Sequence, residues 1–118
     1  MSLPPGGFPP GYEWDEAKNQ ANIRKHGIDF RDAVRVFDKP TLNDVDDRRD
    51  YSEVRTNSIG DLGGLAVILA THTDREETTR MISARPASSA ERNAYREFER
   101  ELFEKRTRGQ DHDRDHDP

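Results

Sequence analysis

Four arginines between positions 55 and 85 have the chemistry to hold a phosphate: Arg55, Arg75, Arg80 and Arg85. Arginine stays charged in any protein, and its planar fork matches phosphate oxygens. Several such forks on one sheet face would bind a polyanion. The same side chains could instead form surface ion pairs with the many acids of the chain, and the sequence leaves both readings open. Arg80 and Arg85 bracket the apolar part of "TTRMISARP" and stand five positions apart. An odd spacing on a regular strand points two side chains to opposite faces. Their convergence therefore requires Arg85 to lie past the regular part, where Pro86 bends the chain.

Proton carriers are few. His72 ends an apolar run and falls, by alternation, on the side of Ile68 and Ala70. Histidine is the natural proton carrier near neutral pH; a structural histidine bonded to backbone is the alternative. Glu53 precedes Arg55 by two and would share its face, as a base oriented by a cation or as an exposed ion pair of little worth. Glu91 closes an S-x-x-E capping box opened by Ser88. The glycine-rich phosphate loops, H-E-x-x-H and the nucleophile elbow do not occur. With no cysteine, disulfide scaffolds and thiolate zinc sites are excluded. An enzyme built on this chain is expected to work without a metal or other cofactor, on Arg, His and Glu.

The elements that must position these residues can be read in order. The chain has 118 residues, 31% hydrophobic and 36% charged, enough for one small domain with solvated faces. Residues 1–11, "MSLPPGGFPPG", read as a flexible lead. Residues 108–118 read as a disordered acidic tail, which leaves 12–107 as the domain. Asp15 caps a first helix that stops at Gly27. Asp29 opens a second, with Phe30, Val34 and Phe37 on one face and Pro40 ending it. Residues 41–46 form a short edge strand, 47–52 a polar turn, and Glu53–Gly60 a second strand. "LAVILATHT" is the central strand and "TTRMISAR" the fourth, joined by short turns that imply antiparallel hairpins. The capping box at Ser88 opens a last helix with Ala94, Tyr95, Phe98 and Leu102 on one face. The expected fold is α+β: two N-terminal helices, a four-stranded antiparallel sheet and a C-terminal helix.

Net charge is −5, and residues 111–118 alone carry four aspartates against one arginine. Acid also exceeds base in residues 13–53, whereas bases, nearly all arginine, slightly exceed acids in 54–110. Global charge governs steering and solubility, not a local site. No apolar run approaches the roughly 18 residues that span a bilayer, and no signal peptide opens the chain, so a cytoplasmic protein is expected.

Five blocks in order carry a family resemblance: W-D-E-x-K-x-x-x-N at 14–22, K-H-G at 25–27, V-F-D-x-P at 36–40, I-S-A-R at 82–85 and E-R-x-x-Y at 91–95. With "DDRRDYSEVR" between them, the chain resembles the BrnT family of bacterial type II toxins over about residues 12–96. The resemblance implies a fold similar to the RelE toxins and a metal-independent ribonuclease activity. It also implies a DNA-binding, BrnA-like antitoxin as partner, with an antitoxin dimer bridging two toxins in a 2:2 assembly. It aligns Glu53, Arg55, Arg80 and Arg85 with the family's acidic and arginine positions. Ser52 stands where glycine is usual, and Thr56, Asn57 and Ser58 make the second strand more polar than the family pattern.

Cleaving RNA without a metal requires the 2′-hydroxyl to lose a proton and attack phosphorus while charge builds on the phosphoryl oxygens. Arg55, Arg80 and Arg85 are the candidates to stabilise that charge, with Arg75 as a further RNA contact. Arginine cannot be the base, so His72 or Glu53 is the candidate for that step. The rival readings are a non-catalytic or degenerate toxin acting as a co-repressor scaffold and, more distantly, a phosphate-ligand domain. Trp14, Ile23 and Phe103 are the candidate apolar contacts for the antitoxin, with completion of the core as the alternative for Trp14 and Ile23.

Overall fold

The computed structural model describes residues 7–46, 53–63 and 66–116, with side chains up to 106. Helix α1, Glu16–His26, begins where the sequence places it. The Asp15 carboxylate accepts from the amides of Ala17 and Lys18, satisfying donors the helix cannot. At the other end Gly27 takes φ 74°, and its amide donates to the Ile23 carbonyl at 2.7 Å. That left-handed turn favours glycine, which has no Cβ to clash.

Asp29 caps the second helix by accepting from the Arg31 amide at 2.9 Å. The expected single helix is instead a short α2, Phe30–Ala33, running into a 3-10 turn, Val34–Asp38. The tighter winding buries both Val34 and Val36. Val36 lies against the sheet at Gly60, where a built Cβ would sit 2.6 Å from Val36 Cβ. Close contact with the strand thus overrides the 3.6-residue repeat.

Among the described residues the sheet has five strands, in the order β1-β5-β4-β3-β2. Four are those expected: β2, Leu42–Asp46; β3, Arg55–Asp61; β4, Val67–Arg75; and β5, Thr78–Pro86, all paired antiparallel. The expected four-stranded antiparallel sheet is corrected by β1, Tyr12–Glu13, which pairs parallel with β5. Two residues directly after a proline- and glycine-rich lead show no strand period. Tertiary contact makes the strand: Thr79 donates its amide to the Gly11 carbonyl at 2.8 Å, and Phe8 packs edge-on against Trp14 at 4.7 Å. The polar turn at 47–52 lies outside the described residues.

Two apolar clusters sandwich the sheet. One joins Trp14, Phe30, Val34 and Val36 to Ile68, Ala70, Met81 and Ala84. The other joins Ile59, Val67 and Leu69 to Ala87 and Tyr95 under helix α3, Ser89–His116. Ser88 and Glu91 form the expected capping box: the Ser88 amide donates to Glu91 Oε1 at 2.8 Å, and the Glu91 amide to Ser88 Oγ at 3.2 Å. The α3 backbone continues through 108–116, where the sequence suggests a disordered tail. No helix among the described residues is long and apolar enough to cross a membrane.

Two buried amides tie α1 to the rest. Asn19 accepts from the Phe30 amide at 2.8 Å and donates to Asp29 Oδ1 at 3.0 Å. Asn22 donates to the Ala84 carbonyl at 2.9 Å and accepts from the Ala84 amide at 3.1 Å. That pair of bonds imitates a strand partner on the side of β5 where β1 has already ended.

The Gly60–Val36 contact yields a test. Gly60→Ala must push Val36 off the strand, and such overpacking costs about 1–3 kcal/mol. Urea unfolding should show that loss with an unchanged m-value.

Candidate active site

One irregularity sets the geometry of the candidate residues. β4 and β5 pair Thr71 with Ser83 but His72 with Met81, so Ile82 has no partner. This is a β-bulge, one extra residue on β5. Across it, Leu69 faces Arg85 and Thr73 faces Arg80. Leu69 and Thr73 are four apart and share a face. Arg80 and Arg85 therefore share it too, despite their odd spacing. Met81 and Ala84, also oddly spaced, both enter the opposite core, as the bulge requires. The convergence is produced at Ile82, not at Pro86 where the sequence suggested it.

Arg55 and Arg75 join the same face. Thr56 pairs with His72, so its neighbour Arg55 points the other way; Arg75 keeps step with Thr73. Helix α3 covers the Val67–Leu69 part of this face. All four predicted arginines thus lie on one side of the sheet.

Their electrostatics differ. Arg75 forks onto Glu53, Nε to Oε2 at 2.7 Å and Nη2 to Oε1 at 2.8 Å. This bond holds the Glu53 carboxyl below its ordinary value and Arg75 above its own. Glu53 is therefore not the oriented partner of Arg55 that the sequence suggested. Arg85 forks onto Glu91 through two 2.9 Å bonds, which fasten the end of β5 to the start of α3. Arg80, about a third exposed, reaches only Glu13 at 3.4 Å among these ion pairs, and Arg75 approaches the same oxygen at 3.5 Å. Beside Arg80 across the ladder, Thr73 is 3% exposed, and its hydroxyl has no partner among the described residues.

His72 does not join them. It is buried on the opposite face, edge-on to Phe37 at 5.0 Å. Its Nδ1 lies 2.8 Å from Asp74 Oδ1 and its Nε2 lies 2.8 Å from Ser58 Oγ. Facing a carboxylate, Nδ1 carries a hydrogen. Ser58 in turn points its single hydroxyl hydrogen at Asn43 Oδ1, 2.6 Å away. The structure corrects the expectation that His72 stands with the arginines: the two groups of residues lie on opposite faces of the sheet. Asp74 and Ser58 were missed in the sequence, although alternation from His72 places Asp74 beside it.

Trp14, a candidate for partner contact, is core: 3% exposed, with its indole N–H donating to Glu16 Oε1 at 3.0 Å. Ile23 is half-buried, and Phe103 is 69% exposed.

A family model described as "Ribonuclease toxin, BrnT, of type II toxin-antitoxin system" matches residues 14–91. Among solved structures, the chain is similar to the Brucella abortus ribonuclease toxin BrnT, seen in a 1.1 Å crystal structure. Identity is 33%, coverage is 64% of this chain and 94% of that one, and the TM-score is 0.50. No curated protein matches.

The Arg85 fork lowers the Glu91 carboxyl from 4.5 to about 2; burial opposes the shift, and the Ser88 amide adds to it. A lowered folded value stabilises the fold above the ordinary value, and that stability is lost as pH falls from about 4.5 to about 2. Arg85 is 41% exposed, so screening leaves roughly 1–2 kcal/mol. Glu91→Gln should lose that amount near neutral pH. Its stability should then fall less steeply than wild type between those two pH values, as read by acid titration of the circular dichroism.

Proposed function

The chain belongs to the BrnT family of ribonuclease toxins of type II toxin–antitoxin systems, and we propose that it is a metal-independent endoribonuclease that inhibits translation in the cytoplasm. Its phosphate-binding surface is the arginine face. The observation that carries this reading is the bulge at Ile82, which puts Arg80 and Arg85 on the side of Arg55 and Arg75.

The roles follow from the geometry. Arg80, held only by long contacts, stabilises the charge that grows on the phosphoryl oxygens, with Arg55 and Arg75 beside it. The Thr73 hydroxyl, beside Arg80 and without a partner among the described residues, is a further donor to the same phosphate. Arg85 is a positioning residue, clamped to Glu91. Of the two candidate bases, Glu53 shares the arginine face, whereas His72 lies on the other side; Glu53 takes the 2′-hydroxyl proton as the 2′-oxygen bonds to phosphorus, the bond from phosphorus to the 5′-oxygen breaks, and solvent protonates the leaving 5′-oxygen.

One observation favours the rival, non-catalytic reading. Glu13, Glu53 and Glu91 balance three of the arginines, as a surface kept only for assembly would allow. In either case the partner is a BrnA-like, DNA-binding antitoxin in a 2:2 complex. Exposed Phe103 supports this, beside a groove between α3 and the Lys39–Pro40 segment.

Expression of the chain alone in bacteria should arrest growth, and Arg80→Ala should relieve it while the protein still folds. Purified enzyme should cleave RNA in excess EDTA. Arg80→Ala should slow cleavage about 10²–10³-fold, the usual loss for one charge-stabilising donor. A folded wild-type chain that cuts no RNA would leave the scaffold reading. Thr73→Val separates stability from activity: it removes an unpaired buried hydroxyl and should gain about 1 kcal/mol, yet cleave more slowly.

A further inference from the structure

The side of the sheet away from the arginines carries a cleft of about 260 Å³ that the reaction above does not use. Tyr12, Phe37, Asn43, Ser58, His72 and Asp74 line it. Drug-sized pockets run to about 300–1,000 Å³, so this one suits a single small ring. Its aromatic wall is Tyr12 stacked with Phe37, centroids 5.9 Å apart at 19°.

The polar groups are fixed in place. Asn43 Oδ1 accepts from Thr41 at 2.7 Å and from Ser58 at 2.6 Å. Asp74 Oδ1 takes His72 Nδ1 at 2.8 Å and the Thr79 hydroxyl at 3.3 Å. The Asp74 carboxylate is nonetheless 62% exposed, so an oriented acceptor remains at the mouth. Burial, then Asp38 and Asp74, raise the pKa of the Tyr12 phenol. The phenol keeps its proton, and those carboxylates repel a phosphate.

The cleft and the arginine face lie at the same end of the sheet. Tyr12 and Glu13, Arg55 and Thr56, Asp74 and Arg75, and Thr79 and Arg80 are chain neighbours. Each pair sends one side chain to the cleft and the other to the arginines, as strand alternation demands. A strand lying over this end meets cations on one side and a ring-sized acceptor cleft on the other.

We propose that the cleft is a nucleobase subsite that takes guanine, its donor edge on Asp74 and its ring against Tyr12. This rests on the RNA-cleaving reading. Single-stranded bases are read by aromatic stacking and by hydrogen bonds to their Watson–Crick edges. A carboxylate only accepts. Guanine alone offers two adjacent N–H donors, at N1 and N2; adenine and cytosine set one donor beside an acceptor, and uracil flanks one donor with two acceptors.

The test uses the full-length Arg80→Ala chain, which removes toxicity but leaves the cleft intact. Guanosine, adenosine, cytidine and uridine, all without phosphate, are titrated by NMR, with methylguanidinium as the cationic alternative. Guanosine should shift Tyr12 and His72 signals and bind about tenfold or more tighter than the others, as a bidentate pair discriminates. Asp74→Asn should abolish that preference. Tyr12→Leu, which leaves the His72 network untouched, should weaken all four nucleosides. In a second arm, sequencing of cleaved ends should show the wild-type chain cutting beside G and Asp74→Asn cutting without that preference. Equal binding of the nucleosides, shifts outside the cleft, or tighter binding of methylguanidinium would overturn the subsite. Cleavage with no base preference would overturn it while leaving the ribonuclease intact. Guanosine binding in a chain that cuts no RNA would sink the ribonuclease and keep the subsite.

Discussion

A single unpaired residue, Ile82, governs which side chains can meet. Without the bulge, β5 would alternate regularly and Arg85 would leave the face of Arg80. Ala84 would likewise leave the core that Met81 occupies. Core packing and site geometry therefore select the same irregularity. Asn22 grips both backbone groups of Ala84 two residues beyond it. A one-residue slip would move every inward side chain of β5 outward, and the Asn22 clamp resists that slip.

This places the most specific sequence blocks in the scaffold. In W-D-E-x-K-x-x-x-N, Trp14 anchors the core, Asp15 caps α1, Glu16 holds the indole N–H and Asn22 clamps β5. In E-R-x-x-Y, Glu91 closes the capping box and Tyr95 fills the second core. Each of these residues fills a core or satisfies a backbone or side-chain group of the scaffold. The arginines ride on that frame.

The elements that obey local rules were legible in the sequence. Asp15, Gly27 and Ser88 act within four residues of themselves, so helix ends can be read from spacing. The hairpins β3–β4 and β4–β5 follow from short turns. What escaped depends on distant contacts. β1 exists because Phe8 and Trp14 hold the lead against β5. The 3-10 turn exists because Gly60 lets Val36 approach the strand. The division of His72 from the arginines was half legible: alternation set His72 with Ile68 and Ala70, but the side taken by Arg85 depended on a bulge with no sequence signal. Glu53 was read with Arg55 by the same alternation. It lies just before β3 begins, where the chain is free to turn its carboxylate towards Arg75.

The arginine face is close to balanced in charge, and the bond lengths rank how readily each cation can exchange. The Arg85–Glu91 and Arg75–Glu53 forks are bidentate at 2.7–2.9 Å, the geometry of strong charge-assisted pairs. The Arg85 fork also joins two elements, so opening it would loosen the α3 cap. Glu13 meets Arg80 and Arg75 at 3.4 and 3.5 Å through one oxygen, a weak and shared contact. A phosphate offers more oxygens than Glu13 does and can satisfy both guanidinium groups at once. On the proposed phosphate-binding reading, competition on this face would favour the ligand at Arg80 first, then Arg75, and would leave Arg85 in place. Glu13 sits on β1, the shortest strand of the sheet, and on the same reading that strand would keep the displaced carboxylate beside the arginines, ready to neutralise them again once the phosphate has gone.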